Sequence, residues 1–234
     1  MFVAKRIAER GYRVTLVDFY GFGKTPHPSL PLSLDDYVLS IVNLIRYYEI
    51  EKVTLVCHSF GGRVGIKLCA KYGYYVEKLM LVDAAGIKPR RNIFYHIKVF
   101  DYKLRKKLKL KTTNAGSEDY KRLSPIMKKT FVNVVNEDLT PLLHRIICPT
   151  LIFWGQKDKD TPFYMAKKMN KKIKNSAVIE CLNCGHFAYI EMSEVFIETL
   201  AIFLSGDSDG VDGDDNYTSD KRNSVTKIAC NRSK

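Results

Sequence analysis

The segment from Val53 to Gly62 (Val-Thr-Leu-Val-Cys-His-Ser-Phe-Gly-Gly) is the strongest constraint on the fold. Four β-favouring residues lead directly to Ser59, two glycines follow it, and a helical pattern begins there. A strand that turns sharply into a helix forces the residue at the turn into positive-φ backbone and requires small neighbours. Such a turn lifts a serine oxygen clear of the sheet edge. The pattern therefore predicts an exposed, nucleophilic Ser59; a glycine-rich turn without function is the alternative.

Strand and helix patterns alternate along most of the chain. Five nearly continuous apolar runs are predicted to be strands, at 12–19, 53–57, 78–83, 150–154 and 177–181. Helices are predicted between them. Ser33 precedes two acids and a helical repeat, which is the pattern of a helix N-cap. This alternation predicts an α/β fold with a mostly parallel sheet flanked by helices on both faces.

The chain divides into one domain and a tail. We predict a single domain over 1–205, interrupted at about 87–143 by a helical cap, because that stretch has no strand pattern and follows a strand end. A solvated helical excursion is the alternative to a cap. From Gly206 the composition becomes rich in Gly, Asp, Ser and Asn, and 206–234 is predicted to be a disordered tail, first acidic and then basic.

Charge and cysteine usage limit the partners. The formal net charge is +13, and the excess is concentrated between Lys88 and Lys129. No nucleic-acid-binding module accompanies this basic segment, so we predict no nucleic-acid partner. No apolar run approaches the length of about 18 residues that a membrane span needs. Six scattered cysteines suit free thiols in the reducing cytoplasm, and we interpret the Cys181/Cys184 pair as structural.

Two further segments supply partners for a nucleophilic serine. His186 follows the strand predicted at 177–181, at the sheet edge where Ser59 also emerges. Asp158 and Asp160 follow the strand at 150–154, and we favour Asp158 as the orienting acid, with Asp160 as a helix-capping alternative. A serine nucleophile needs a base, and the base needs a carboxylate. The order Ser, Asp, His is the one found with a nucleophile elbow.

These motifs together resemble the alpha/beta-hydrolase superfamily, in its small, lid-bearing group of serine hydrolases. The resemblance covers 1–204 and is carried by five segments: Asp18-Phe-Tyr-Gly-Phe-Gly-Lys-Thr, Cys57-His-Ser-Phe-Gly-Gly, Leu81-Val-Asp-Ala-Ala-Gly, Trp154-Gly-Gln-Lys-Asp and Gly185-His. It implies Ser59 as nucleophile, His186 as general base and acid, and Asp158 as orienter. The backbone amide of Phe60 would be an oxyanion donor.

The resemblance implies an enzyme that cleaves a small ester, thioester or amide through an acyl-enzyme, without a cofactor or metal. The small-molecule substrate is expected to have an apolar body, because the cap is rich in aromatic residues. Cofactor-free haloperoxidase and carbon–carbon hydrolase or lyase chemistry are alternatives on the same residues. A binding protein that uses the pocket without catalysis is another.

Two departures from the family pattern carry expectations of their own. Cys57 stands where the family's elbow has its first glycine, and it is expected to crowd the turn. Family members carry a strand and a His-Gly loop before the helix that opens this chain, and that loop supplies a second oxyanion amide. We therefore expect an N-terminally truncated chain whose sheet lacks a strand between 12–19 and 53–57.

Overall fold

A computed structural model describes residues 2–89, 122–206 and 225–229 of the chain, of which the side chains of Val225 and Ala229 are not described. Its helices are α1 (Phe2–Ala8), α2 (Leu34–Tyr47), α3 (Phe60–Tyr72), α4 (Pro125–Asn136), α5 (Tyr164–Lys172), α6 (Ala188–Glu191) and α7 (Ser193–Ser205). Two 3-10 helices span Gly73–Tyr75 and Thr140–Arg145. The strands are β1 (Val53–His58), β2 (Val76–Val82), β3 (Thr150–Gly155), β4 (Ser176–Leu182) and β5 (Val225–Ala229).

The five strands form one sheet in the order β1-β2-β3-β4-β5, and every pairing is parallel. Parallel strands in register bring their carboxyl ends to one edge, and His58, Val82 and Phe153 mark that edge across the first three strands. The predicted α/β fold with a parallel sheet flanked by helices is confirmed.

The sheet is buried on both faces because its strands alternate apolar residues between two cores. Leu79 and Leu81 of β2 pack into the cluster that α2, α3 and α5 cover. Met80 and Val82 point to the opposite cluster, which α1 and α7 cover. Side chains alternate between the two faces of a strand, and both faces are covered here, which explains why residues 79–82 of β2 are all apolar.

The predicted start of α2 is confirmed in detail. The hydroxyl of Ser33 accepts a hydrogen bond from the amide of Asp36, and the Asp36 carboxylate accepts one from the amide of Ser33. This reciprocal capping satisfies two amides that the first turn leaves without helical partners.

The strand predicted at 12–19 is wrong. The backbone there is irregular, and several of its apolar side chains face solvent, with Leu16 65% exposed. A strand exists only with a hydrogen-bonded neighbour, and among the described residues β1 pairs with β2 alone. The apolar run therefore has strand propensity but no partner, and Val56 in the middle of β1 is also 47% exposed.

The prediction of disorder over 206–234 is wrong for residues 225–229, and residues 207–224 and 230–234 lie outside the described residues. Residues Val225–Ala229 form β5, which pairs in parallel with β4 from Val178↔Val225 to Leu182↔Ala229. The acidic composition that motivated the prediction ends before this point, and Val-Thr-Lys-Ile-Ala is β-favouring. It pairs with the backbone groups of β4 that would otherwise form an open edge.

The cap predicted at about 87–143 lies mostly outside the described residues, which omit 90–121. The described part, from 122 onward, is helical: α4 begins with Ser124 as its cap, and a 3-10 helix follows. The basic segment from Lys88 to Lys129 falls largely in the same gap, so the cap itself stays a prediction.

No helix in the described ranges combines the length and apolar character needed to cross a bilayer. The five cysteines in these ranges are buried, and none is joined in a disulfide.

Candidate active site

Ser59 occupies a strained turn between β1 and α3. Its backbone lies at φ 48° and ψ −114°, a region that residues other than glycine rarely adopt. The strained peptide is held from both sides: the Ser59 amide donates to the carbonyl of Val82, and the Ser59 carbonyl accepts from the amide of Ala85. The turn predicted from the sequence is therefore present, and β2 fixes it.

Small residues allow this turn to pack tightly. A Cβ at Gly62 would overlap the side chain of Ala84, so that position requires glycine. Cys57 fits within the elbow because Gly65 lies opposite it, where a Cβ would overlap the Cys57 sulfur. The expected crowding at Cys57 is thus relieved by a glycine one helical turn into α3.

The structure brings the three predicted side chains together. His186 Nε2 lies 2.9 Å from Ser59 Oγ, and His186 Nδ1 lies 2.8 Å from Asp158 Oδ2. Ser59, Asp158 and His186 follow β1, β3 and β4, so their proximity results from the parallel register of the sheet. Of the two acids considered, Asp158 is buried and contacts the imidazole, whereas Asp160 is exposed.

Asp158 is held as an ionised acceptor. Its Oδ1 accepts hydrogen bonds from the amides of Asp160 and Thr161, and its Oδ2 accepts from the Thr161 hydroxyl at 2.6 Å as well as from His186. Burial by itself would raise the pKa of Asp158, but the hydrogen bonds from His186 and Thr161 outweigh it and keep the pKa below its ordinary value. The carboxylate therefore remains charged beside the imidazole at neutral pH.

The loops that carry the acid and the base are in direct backbone contact. The amide of Gln156 donates to the carbonyl of Cys181, and that of Lys157 donates to the carbonyl of Cys184. A Cβ at Gly155 would overlap the carbonyl oxygen of Gly185. The close approach of the two loops therefore depends on Gly155 having no side chain.

His58 adjoins Ser59 in the sequence, but its ring contacts the backbone of His186. Its Nε2 lies 2.8 Å from the carbonyl oxygen of His186, to which it donates when protonated at that nitrogen. The two imidazole rings have centroids 4.9 Å apart, and burial lowers the pKa of His58. His58 thus contacts the backbone of the base rather than the nucleophile. Of the remaining histidines, His27 and His144 lie in loop and 3-10 segments, and His96 is outside the described residues.

Two buried polar residues near the site were missed by the reasoning from sequence. Thr161 contacts Asp158, and Asp83 at the end of β2 accepts hydrogen bonds from the amides of Gly155 and Ala188. The available signal was an acid immediately after an apolar strand, in Leu81-Val-Asp83, at the edge that carries the other site residues.

The other side of Ser59 is aromatic. The Phe60 ring contacts those of Phe19, Tyr37 and Phe22, with centroid distances of 5.4, 5.2 and 5.7 Å. Phe22 stacks on Phe60 and is 47% exposed, in a loop that Asp18 closes by accepting the amide of Lys24. Because Phe60 is the first residue of α3, its amide has no acceptor within the helix, and it lies at the positive end of the helix dipole.

The arrangement favours proton transfer over metal binding. Ligand atoms of Asp158, Asp160 and His186 lie within 4.8 Å of one another. However, the carboxylate of Asp158 already accepts from imidazole, hydroxyl and amide donors, as described above, so its oxygens are engaged.

A parallel α/β sheet whose edge aligns a strained serine, an imidazole and a buried carboxylate has the groups that nucleophilic hydrolysis requires. The chain belongs to the alpha/beta hydrolase family, whose model matches residues 1–199. It is therefore a hydrolase by family, and the predicted resemblance is confirmed.

Individual relatives agree with this assignment. The AB hydrolase superfamily protein YisY of Bacillus subtilis is 29% identical over 222 residues, covering 84% of this chain and 83% of that protein. The 2-hydroxy-6-oxo-2,4-heptadienoate hydrolase of Pseudomonas putida is 24% identical over 227 residues, covering 85% and 80%. The crystal structure of a bromoperoxidase from Bacillus anthracis superposes with a TM-score of 0.70 at 23% identity, covering 87% of this chain and 86% of that one; this likeness concerns the fold.

Proposed function

We propose that the protein is a serine hydrolase that cleaves a small ester, thioester or amide through an acyl-enzyme. The observation that supports this most directly is the continuous chain of contacts from Ser59 Oγ through His186 to Asp158, with distances of 2.9 and 2.8 Å. The first distance lies within the reach that a nucleophile and its base need for proton transfer, and the second is that of a hydrogen bond between the base and an orienting carboxylate.

In the first half-reaction, Ser59 Oγ attacks the substrate carbonyl carbon while its proton passes to His186 Nε2. The imidazolium is stabilised by the ionised Asp158 at Nδ1. The tetrahedral intermediate collapses, His186 gives the proton to the leaving oxygen, sulfur or nitrogen, and Ser59 keeps the acyl group. In the second half-reaction, a water loses its proton to His186, attacks the acyl carbon and releases the carboxylic acid, and the proton returns to Ser59.

The Phe60 amide is the oxyanion donor in this proposal. It belongs to the residue directly after the nucleophile and stands at the N-terminus of α3, where the peptide dipoles favour negative charge. A carbonyl oxygen that gains charge during attack on Ser59 is therefore stabilised by a group whose position does not change during the reaction.

The proposed substrate has an apolar body. The stacked rings of Phe22 and Phe60 lie beside the nucleophile, and the exposed half of Phe22 offers an aromatic surface to an alkyl or aryl group. A small-molecule substrate agrees with the cytoplasmic location that the free cysteines led us to expect. That location stays a prediction.

Carbon–carbon bond hydrolysis is the second candidate. It is favoured by the Pseudomonas putida relative, whose name specifies a 2-hydroxy-6-oxo-dienoate substrate, and which aligns with 85% of this chain. In such a substrate the leaving atom is carbon, so the enzyme must deliver a proton to carbon before or during cleavage. The same serine, histidine and aspartate would serve both reactions.

Labelling with a fluorophosphonate tests the common step. The wild-type protein is expected to become covalently labelled at Ser59, whereas Ser59→Ala is expected to remain unlabelled. Ser40→Ala is a matched control, because Ser40 lies within α2 and donates to the carbonyl of Tyr37 in the same helix. This variant should be labelled like the wild type. An unlabelled wild type, or equal labelling of Ser59→Ala, would refute the proposed function.

A second measurement separates the two substrate classes. The unlabelled wild-type protein is assayed with p-nitrophenyl butyrate and, separately, with a 2-hydroxy-6-oxo-dienoate. Hydrolysis of the dienoate is measured as the loss of its absorbance. A kcat/KM at least about 10-fold higher for the ester supports the leading proposal, and the reverse order supports carbon–carbon cleavage.

A further inference from the structure

Asp83 is a buried acid that the acyl-enzyme reaction does not use. It lies at the end of β2 with no exposed surface and adopts φ 42°, one of four described non-glycine residues with positive φ. A strained, buried, ionisable residue at the sheet edge that carries the active site requires a physical explanation.

The carboxylate of Asp83 joins the two loops that carry the acid and the base. Its Oδ1 accepts the amide of Gly155 at 2.8 Å, at the start of the Asp158 loop. Its Oδ2 accepts the amide of Ala188 at 3.3 Å, two residues after His186. One side chain therefore contacts the backbone on both sides of the hydrogen bond between Asp158 and His186.

The main chain of Asp83 reinforces this connection. Its amide donates to the carbonyl of Phe153 in β3, and its carbonyl lies 3.0 Å from the Thr161 hydroxyl. The same hydroxyl lies 2.6 Å from Asp158 Oδ2, so Asp83 and Asp158 share Thr161 as a neighbour. The carbonyl and Oδ1 of Asp83 therefore both contact the loop that carries Asp158, and Oδ2 contacts the loop that carries His186.

We propose that Asp83 is a positioning residue whose carboxylate holds the Asp158 loop and the His186 loop at their working separation, and whose protonation tunes the reaction. This inference rests on the proposed function of Ser59, His186 and Asp158. It assigns Asp83 no contact with the substrate.

The charge of Asp83 changes near neutral pH. Burial raises its pKa to about 7, with hydrogen bonds from Gly155 and Ala188 opposing the rise and the charge of Asp158 adding to it. The ionisable groups that act on it or that it acts on are Asp158, His186 and the Cys181 thiol. Above pH 7 the ionised Asp83 accepts both amide hydrogen bonds fully and adds a negative charge near the imidazolium that forms during acyl transfer.

The sign of the accompanying stability change follows from this pKa. A carboxyl whose folded-state pKa lies above its ordinary value of 3.8 favours the folded protein fully below pH 3.8. That contribution is lost as the pH rises through about 7. Above about pH 7, the ionised Asp83 therefore lowers the stability of the fold, and in the same pH range it supports the proposed reaction.

The test compares fluorophosphonate labelling rates of wild type and Asp83→Asn between pH 5.5 and 8.5. Asparagine is isosteric and tolerates positive φ, so the variant is expected to fold. We expect a labelling rate about 10- to 100-fold lower than wild type at pH 8, because misplacing catalytic groups has effects of this size. The ratio of the two rates should shrink toward pH 6 with a midpoint near 7.

Controls keep the possible failures distinct. Asp138→Asn removes a partly exposed carboxylate that accepts from Thr140, and its labelling rate should match the wild type at every pH. If Asp83→Asn does not fold, Asp83→Gly relieves the positive φ and removes the same carboxylate. A rate ratio that is equal to one, or constant across the pH range, overturns the inference. Failure of the wild type to label overturns the proposed function instead.

Discussion

The two sides of Ser59 are built differently. On the acid–base side, Asp158, Thr161, Asp83 and His186 form a buried network of hydrogen bonds that includes the backbone of two loops. On the opposite side, Phe60 contacts three aromatic rings, and Phe22 is half exposed. Hydrogen bonds fix direction and distance, whereas ring packing tolerates displacement. The difference indicates that the first side is organised for proton transfer and the second for contact with variable apolar groups.

Replacing the orienting acid gives the largest expected difference between the two sides. Asp158→Asn should lower kcat/KM for p-nitrophenyl butyrate by about 10⁴-fold, because an amide no longer stabilises the imidazolium or its tautomer. Asp160→Asn is the matched control and should change kcat/KM less than about threefold, since only its backbone amide contacts Asp158. Equal losses in both variants would contradict the choice of Asp158.

The same variant has an expected effect on stability with pH. Because the pKa of Asp158 is held below 3.8, its ionised form stabilises the fold above that pH, and the stabilisation is lost as the pH falls through the lower, folded-state pKa. The free energy of unfolding, measured with urea, should therefore fall more steeply below pH 4 for the wild type than for Asp158→Asn. Parallel curves would show that the Asp158 carboxylate is not held ionised by its neighbours.

Removing one hydroxyl from the acid–base side has an intermediate expected effect. Thr161→Val keeps the volume but deletes the donor to Asp158 Oδ2, and kcat/KM should fall about 10-fold, equivalent to about 1.4 kcal/mol. Thr161→Ser restores the hydroxyl and should recover most of the rate. A serine variant as slow as the valine variant would indicate that the methyl group, rather than the hydrogen bond, is important.

Altering the aromatic side has the smallest expected effect. Phe22→Ala should raise KM a few-fold for p-nitrophenyl butyrate and leave kcat nearly unchanged, since uniform binding is lost. The shorter acetate ester serves as the control and should be hydrolysed equally by both proteins. A large fall in kcat for both esters would mean that Phe22 organises the reacting groups, and the contrast between the two sides would fail.

The sequence allowed the α/β fold and the proximity of Ser59, Asp158 and His186 to be predicted because each depends on local pattern. The turn at Ser59 follows from strand, glycines and helix in succession, and Asp158 and His186 follow apolar strands directly. Because the strands are parallel, the three segments that follow them meet at one edge of the sheet, and no long-range contact had to be predicted for this. The capping box at Ser33 is equally local.

Most of the errors and omissions involve partners that are remote in sequence. Strand structure at 12–19 required a neighbour that the described residues do not provide, and β5 formed because β4 offers its edge. Asp83 was missed because its carboxylate contacts Gly155 and Ala188, which lie 72 and 105 residues later. Thr161 is the exception, since it contacts Asp158 only three residues away. The contact of His58 with His186, 128 residues later, was not predicted either.

The absence of a side chain at Gly155 has a consequence for how such enzymes can diversify. The closest approach of the Asp158 and His186 loops is limited by backbone packed against backbone at Gly155 and Gly185. In the proposed function, substitutions around Phe22 would therefore change which compounds are bound without displacing the loops that carry Asp158 and His186. The reaction and the choice of substrate would then depend on separate parts of the chain.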